Sequence, residues 1–199
     1  MSNISMTTSK RNAIVTVMLI SAFVSMLNQT ILNTALPAII KGLNITETTA
    51  QWLITGFMLV NGIMIPLTAF LMDKYSTRHL YIFSMAIFLL GSIVAAFSPT
   101  FTILMISRII QAIGAGILLP LMQFTVFTLF PAEQRGFAMG LAGVVVQSAP
   151  AIGPTLTGLF VDLFSWRMPF YLVSAIAAVA FILGFFFVEN NTKTKDIVL

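Results

Sequence analysis

Residues Phe101 to Leu129 read FTILMISRIIQAIGAGILLPLMQFTVFTL. About 20 mostly apolar residues suffice to cross a bilayer, and this stretch exceeds that with one formal charge, Arg108. An arginine inside a span costs about 3 kcal/mol on insertion scales. At 1.5 Å per residue, Arg108 lies about 10 Å in from Phe101. Gln111, Ala115 and Leu119 continue its helical face, while Gly114 and Gly116 leave room for a neighbouring backbone. The helix therefore carries one strong polar group toward a protein interior or a watery cavity. The competing reading is that Arg108 snorkels to the surface near Phe101. Gln111, polar and one turn deeper on the same face, weighs against it.

Composition fixes the solvent around this helix. Of 199 residues, 58% are hydrophobic and 8% charged, where a soluble domain averages about a quarter charged. No soluble core hides that much apolar surface, so a lipid bilayer must cover it. The formal charge of +4 does not point to nucleic acid, because the basic residues are scattered between spans. Cysteine is absent, which removes disulfides, thiol nucleophiles and thiolate metal sites. The first apolar run is too long for a signal-peptide core and lacks a clear cleavage site.

Six candidate spans follow in order: about residues 13–36, stopping near Pro37, then 51–72, 80–97, 101–129, 136–163 and 168–188. They define an all-α, six-helix membrane bundle over residues 13–188, flanked by a polar segment 1–12 and a tail 189–199. The tail reads as a linker cut before more protein, or as a natural stop. Trp52 is placed as an interfacial anchor, and Trp166 and Arg167 suit the opposite interface from the N-terminus. The N-terminal side carries Lys10, Arg11, Lys74, Arg78, Arg135, Lys193 and Lys195, and the other side Lys41 and Arg167. Seven against two predicts both termini in the cytoplasm by the positive-inside rule.

Several spans carry polar or small residues at helical spacing. Ser21, Ser25 and Asn28 share one face of the first, and Asn28 falls at a depth similar to Arg108 on an antiparallel neighbour. Ordinary interhelical hydrogen bonding and a cavity lining both fit that stripe. On the fifth span Gly143, Gln147, Pro150, Pro154 and Gly158 step by four, three, four and four. Proline kinks a helix and glycine admits close approach, so the stripe is a bent, flat surface. His79, the one histidine, lies among charged loop residues at headgroup level.

Four stretches resemble signatures of the major facilitator superfamily, in the family's order. Leu27-Asn28-Gln29-Thr30 through Pro37 resembles the first-span signature of its fourteen-span drug:proton antiporters, with Asn28 where much of that group has aspartate. Ala69-Phe70-Leu71-Met72-Asp73-Lys74-Tyr75-Ser76-Thr77-Arg78 resembles the cytoplasmic loop signature G-x-L-x-D-R-x-G-R-R, with Ala69 and Ser76 replacing glycines. Arg108-Ile109-Ile110-Gln111-Ala112-Ile113-Gly114 resembles the fourth-span signature R-x-x-Q-G-x-G. Gly153-Pro154-Thr155-Leu156-Thr157-Gly158 resembles the antiporter signature G-P-x-x-G-G, and Trp166-Arg167-Met168-Pro169-Phe170 resembles the start of the family's sixth span. The resemblance covers the chain and implies one half of a two-half transporter, each half built of 3+3 inverted repeats. No internal sequence repeat is visible.

The resemblance implies proton-coupled efflux of drugs or small amphipathic molecules across a bacterial plasma membrane. It assigns a substrate and proton pathway to Asn28, Gln29, Asn61, Arg108, Gln111 and Gln147, with Met58, Met64 and Met122 as adaptable apolar contacts. It assigns a cytoplasmic gate to Asp73, Lys74, Arg78 and Arg135, with Arg135 a candidate partner for Asp73. It assigns a helix bend that seals against leak to Gly143, Pro150, Gly153, Pro154 and Gly158. No cofactor or metal is expected, and the proton gradient is the energy source. The partners implied are the bilayer, a small-molecule substrate and the missing C-terminal half or a second copy. A non-transporting truncated fragment that binds other helices is the alternative. An intramembrane enzyme finds no support in the sequence: no mid-span acid, no G-x-S-x-G and no histidine pair.

Overall fold

A computed structural model describes residues 8–188 as six long helices: α1 (Thr8–Leu43), α2 (Glu47–Lys74), α3 (Thr77–Ala96), α4 (Phe101–Leu129), α5 (Ala132–Leu163) and α6 (Met168–Phe187). Each is long and apolar enough to cross a bilayer. Most of the expected N-terminal segment and all of the tail 189–199 lie outside the described residues. Helix starts follow their capping chemistry. The side chains of Thr46, Ser76 and Thr100 accept from the backbone N–H of Thr49, His79 and Ile103, satisfying donors that a first turn leaves open.

The first span does not stop at Pro37. That proline lies inside α1, which continues to Leu43, and Asn44 then adopts a left-handed φ of 51°. The proline costs one backbone hydrogen bond. Beyond it Ile39 is fully buried in a cluster with Leu36, Trp166 and Phe170, and the Trp166 ring sits on Gly42. This packing holds the last turns helical. Trp166 is therefore buried rather than an open interfacial anchor, whereas Trp52 is 56% exposed.

Packing centres on α4 and α1. α4 lies against α3, α2 and α1; α1 lies against α5, α6 and α4; α3 also packs on α6. α2 and α3, though consecutive, barely meet. Exchange α1 with α4, α2 with α5 and α3 with α6, and this pattern maps onto itself. Spans three apart cross in opposite directions, so the symmetry is that of two inverted three-helix repeats, present in packing where none is visible in sequence.

Glycine sets the closest contacts. A Cβ at Gly114 would meet Ser84 O at 2.5 Å and Phe88 N at 2.9 Å, and one at Gly91 would meet Gln111 N at 2.8 Å. α3 and α4 thus touch backbone to backbone. Tyr81 pins a second junction: its Oη lies 2.7 Å from Ser21 Oγ on α1 and donates to Ala180 O on α6 at 2.9 Å. Gly184 leaves room for the Tyr81 ring.

Apolar burial divides into two clusters, one at each end of the bundle. On α4 Leu104 belongs to one and Ala112 to the other, so Arg108 falls at the boundary between them.

Gly114→Ala and Gly91→Ala should each lower unfolding stability in detergent by about 1–3 kcal/mol, the usual cost of overpacking. Gly143→Ala, where an added Cβ meets nothing within 4 Å, should be neutral or slightly stabilising through helix propensity. Thermal unfolding of the three variants measures the difference.

Candidate functional site

Arg108 is buried to 1% exposure, so it does not snorkel. Its Nη1 donates to Gln111 Oε1 at 2.7 Å, one turn along the same helix. The same oxygen accepts from Asn28 Nδ2 at 3.3 Å, and Gln111 Nε2 donates to Ser92 Oγ on α3 at 3.1 Å. Ser92 passes the chain on to Phe88 O at 2.8 Å. The guanidinium lies 4.2 Å over the Phe57 ring of α2. Four helices therefore build the surroundings of one cation: the Gln111 oxygen and the Phe57 ring meet it directly, and Asn28 and Ser92 hold Gln111. A charge-assisted hydrogen bond contributes about 1.5–3 kcal/mol and a desolvated cation–π contact about 2 kcal/mol, enough to offset the insertion cost.

No carboxylate takes part. Two buried atoms stay unpartnered, Arg108 Nε and Asn28 Oδ1. One is a donor and the other an acceptor, the pairing a bridging hydroxyl or water satisfies.

The expected pathway residues thus divide. Asn28, Arg108 and Gln111 form one cluster. Asn61, half-buried on α2, lies beside Gly116 of α4. Gln29 is half-buried and makes none of the cluster's hydrogen bonds. Gln147 lines a separate cavity of about 200 Å³ among α1, α4 and α5, with Met26, Met122, Gln123, Met139 and Gly143. Met122 is buried and reaches that cavity, Met64 packs on Gly116, and Met58 is half exposed. Sequence reasoning missed Phe57, Ser92, Gln123, Met26 and Met139. An aromatic or a serine in an apolar span carries no signal of its own. Met26, though, lies two residues before Asn28, and Gln123 lies one after Met122.

The α5 stripe also divides. The face packed inward is Ala138, Ala142, Val146, Ala149, Gly153 and Thr157. Gly153 presses against Thr30 of α1, so it serves packing within the bundle. Gly143 and Gly158 face open space, Gln147 and Pro154 are exposed, and Pro150 is half-buried. Gly153, which shares a signature with Pro154, thus lies off the stripe and on the inward face.

The loop charges do not form the expected pair. Asp73 and Lys74 are exposed, and Asp73 makes no ion pair among the described residues. Arg135 turns to its own turn, donating from Nε to Phe130 O at 3.0 Å, where it caps the end of α4. Arg78 donates to Phe185 O in the last turn of α6 at 3.2 Å. Across the bundle Arg167 donates to Ser98 O, just past α3, at 2.8 Å. A helix end leaves carbonyls unsatisfied and partly negative, and these arginines meet them.

A family model described as the Major Facilitator Superfamily matches residues 18–197. The chain is 51% identical over 185 residues to the uncharacterized MFS-type transporter YcnB of Bacillus subtilis, covering 93% of this chain and 39% of that protein. It is 40% identical over 177 residues to the lincomycin resistance protein LmrB of the same organism, covering 89% and 37%. It is 35% identical over 153 residues to the probable multidrug resistance protein EmrY of Escherichia coli, covering 77% and 30%. The chain thus spans about two fifths or less of the length of these curated relatives.

Asn28→Asp should be tolerated, since it places a carboxylate near a cation whose one hydrogen-bonded acceptor is the amide oxygen of Gln111. Phe57→Leu should cost about 2 kcal/mol, the cation–π contact it removes. Unfolding in detergent measures both, and a collapse of Asn28→Asp with an unaffected Phe57→Leu would contradict the assignment.

Proposed function

The chain belongs to the major facilitator superfamily, and from that membership we propose that it is the N-terminal six-span domain of a proton-coupled exporter of drugs or small amphipathic molecules. One observation carries the reading: the cavity among α1, α4 and α5 holds three methionines, two glutamines and no charge. Methionine adapts its shape to varied apolar groups, and an amide accepts or donates as needed. Such a wall suits uncharged or amphipathic molecules of differing shape. Relatives named for lincomycin and multidrug resistance support the same substrate class.

Alternating access needs a second half against which this one rocks. α2, α5 and α6 are the least covered helices of the bundle, and α5 presents the open stripe of Gly143, Gln147, Pro154 and Gly158. These faces suit a matching half. With both termini cytoplasmic, the basic ends of the helices lie on the side the positive-inside rule favours.

Arg108 is a fixed cation in this scheme. No acid lies mid-span in α1 to α6, since Glu47, Asp73, Glu133 and Asp162 all fall in the first or last turns of their helices. A proton carried by the transporter is therefore taken up by an acid of the second half or of the substrate, with Arg108 biasing that group's charge.

In the full-length transporter, Arg108→Ala should abolish gradient-dependent efflux with little loss of expression. Arg108→Lys should rescue poorly, because an ammonium lacks the planar fork. Residues 1–199 alone should not export. Efflux and expression measured together test this, and full activity of Arg108→Ala would overturn the role given to Arg108.

Cysteines placed at Ser76 and Asn44 should label only from the cytoplasmic and the outer side respectively. Outside labelling at Ser76 would reverse the orientation.

A further inference from the structure

At the end of the bundle that carries the start of α1, two arginines converge on one residue. The Arg11 guanidinium lies 4.5 Å over the Phe130 ring. Arg135, from α5, donates to the Phe130 carbonyl at 3.0 Å and stacks 4.4 Å over Phe127. Lys10 adds a third positive charge next to Arg11 in sequence. Neither arginine has an ion pair among the described residues, and Glu133, in the first turn of α5, bonds to neither. The rings orient the two guanidinium groups without neutralising them.

What remains open on these groups is directional. Arg11 Nε is buried without a hydrogen-bond partner. Among the described residues the terminal nitrogens of Arg11 and Arg135 make no hydrogen bond, and both side chains are half-buried rather than enclosed. A cation–π contact uses the charge of a guanidinium and leaves its N–H groups available to donate. A planar fork of this kind matches phosphate oxygens two at a time. The level is also set: α4 ends at Leu129, so Phe130 stands where a membrane span gives way to headgroups. Phe127, one turn back toward the membrane, is 51% exposed and offers an apolar surface beside the Arg135 guanidinium.

We propose that Arg11 and Arg135 form a binding site for the phosphate of an anionic phospholipid, with the exposed Phe127 ring lying along its acyl chain. The site is separate from the Arg108 cluster and from the methionine-lined cavity, and it does not rest on the transport reading. A lipid held there ties the start of α1 to the α4–α5 turn, two elements from opposite three-helix repeats.

The test is native mass spectrometry of the 199-residue chain in a neutral detergent, titrated separately with phosphatidylglycerol, phosphatidylcholine and inorganic phosphate. The wild-type chain should retain phosphatidylglycerol more strongly than phosphatidylcholine. Arg11→Gln and Arg135→Gln should each weaken that retention about fivefold, the effect of one basic residue at an anionic surface. Arg11→Lys should fall between wild type and Arg11→Gln, because it keeps the charge and loses the fork. Arg78→Gln, at the same end of the bundle, should retain the lipid as wild type does. Unchanged retention in both glutamine variants overturns the proposal, as does an equal loss in Arg78→Gln or saturation by inorganic phosphate alone. If a glutamine variant aggregates on size exclusion, Arg11→Lys decides: wild-type affinity there overturns the bidentate site.

Discussion

A positive charge held in a low-dielectric interior has to be compensated by the protein around it, and Arg108 imposes that requirement on four helices at once. The oxygen of Gln111 is the pivot, accepting from the guanidinium at 2.7 Å and from Asn28 at 3.3 Å. Gln111 is itself fixed by Ser92, which reaches it only because α3 lies against α4. Gly91 and Gly114 permit that approach, since a Cβ at either would strike backbone. Close packing and charge compensation are thus one arrangement. Widening the α3–α4 spacing to admit a side chain would withdraw Ser92 and loosen the oxygen that holds the cation.

The bundle spends its small residues unevenly, and the distribution separates internal packing from external surface. Gly91, Gly114, Gly116 and Gly153 each meet another helix, while Gly136, Gly140, Gly143 and Gly158 of α5 and Gly62 of α2 meet nothing. The first set closes the fold. The second lies along α5 and at one point of α2, two of the helices proposed above to meet a second half. Charges at the helix ends show a similar economy. Arg78 and Arg135 sit where a topology signal is expected and Arg167 at the opposite end, and each also caps a carbonyl at or near the end of a helix.

The six spans and the Asn28–Arg108–Gln111 cluster were legible in the sequence, because a lone charge in an apolar run must find polar company at its own depth. Helical spacing then left few choices. Asn28 and Gln111 meet although α1 runs past Pro37 to Leu43, where burial of Ile39 and the Trp166–Gly42 contact outweigh the lost hydrogen bond. Phe57 was not legible, because nothing in a span full of aromatics marks the one ring that faces a cation. Nor was Tyr81, whose hydroxyl finds its partners 60 and 99 residues away. The Asp73–Arg135 pairing came from resemblance alone, and local geometry gave Arg135 a nearer acceptor. Gly153 shared a signature with Pro154 but not a face, since adjacent helical residues point about 100° apart.

The most direct test of this account is a double-mutant cycle between Arg108 and Gln111, read as unfolding free energy in mixed micelles. Gln111→Leu should cost about 3–5 kcal/mol, because it strands a buried charge. Adding Arg108→Met to that variant should restore at least about 2 kcal/mol, because the group needing compensation is gone. Costs that add within about 0.5 kcal/mol would contradict the claim that Gln111 is there to hold the Arg108 cation.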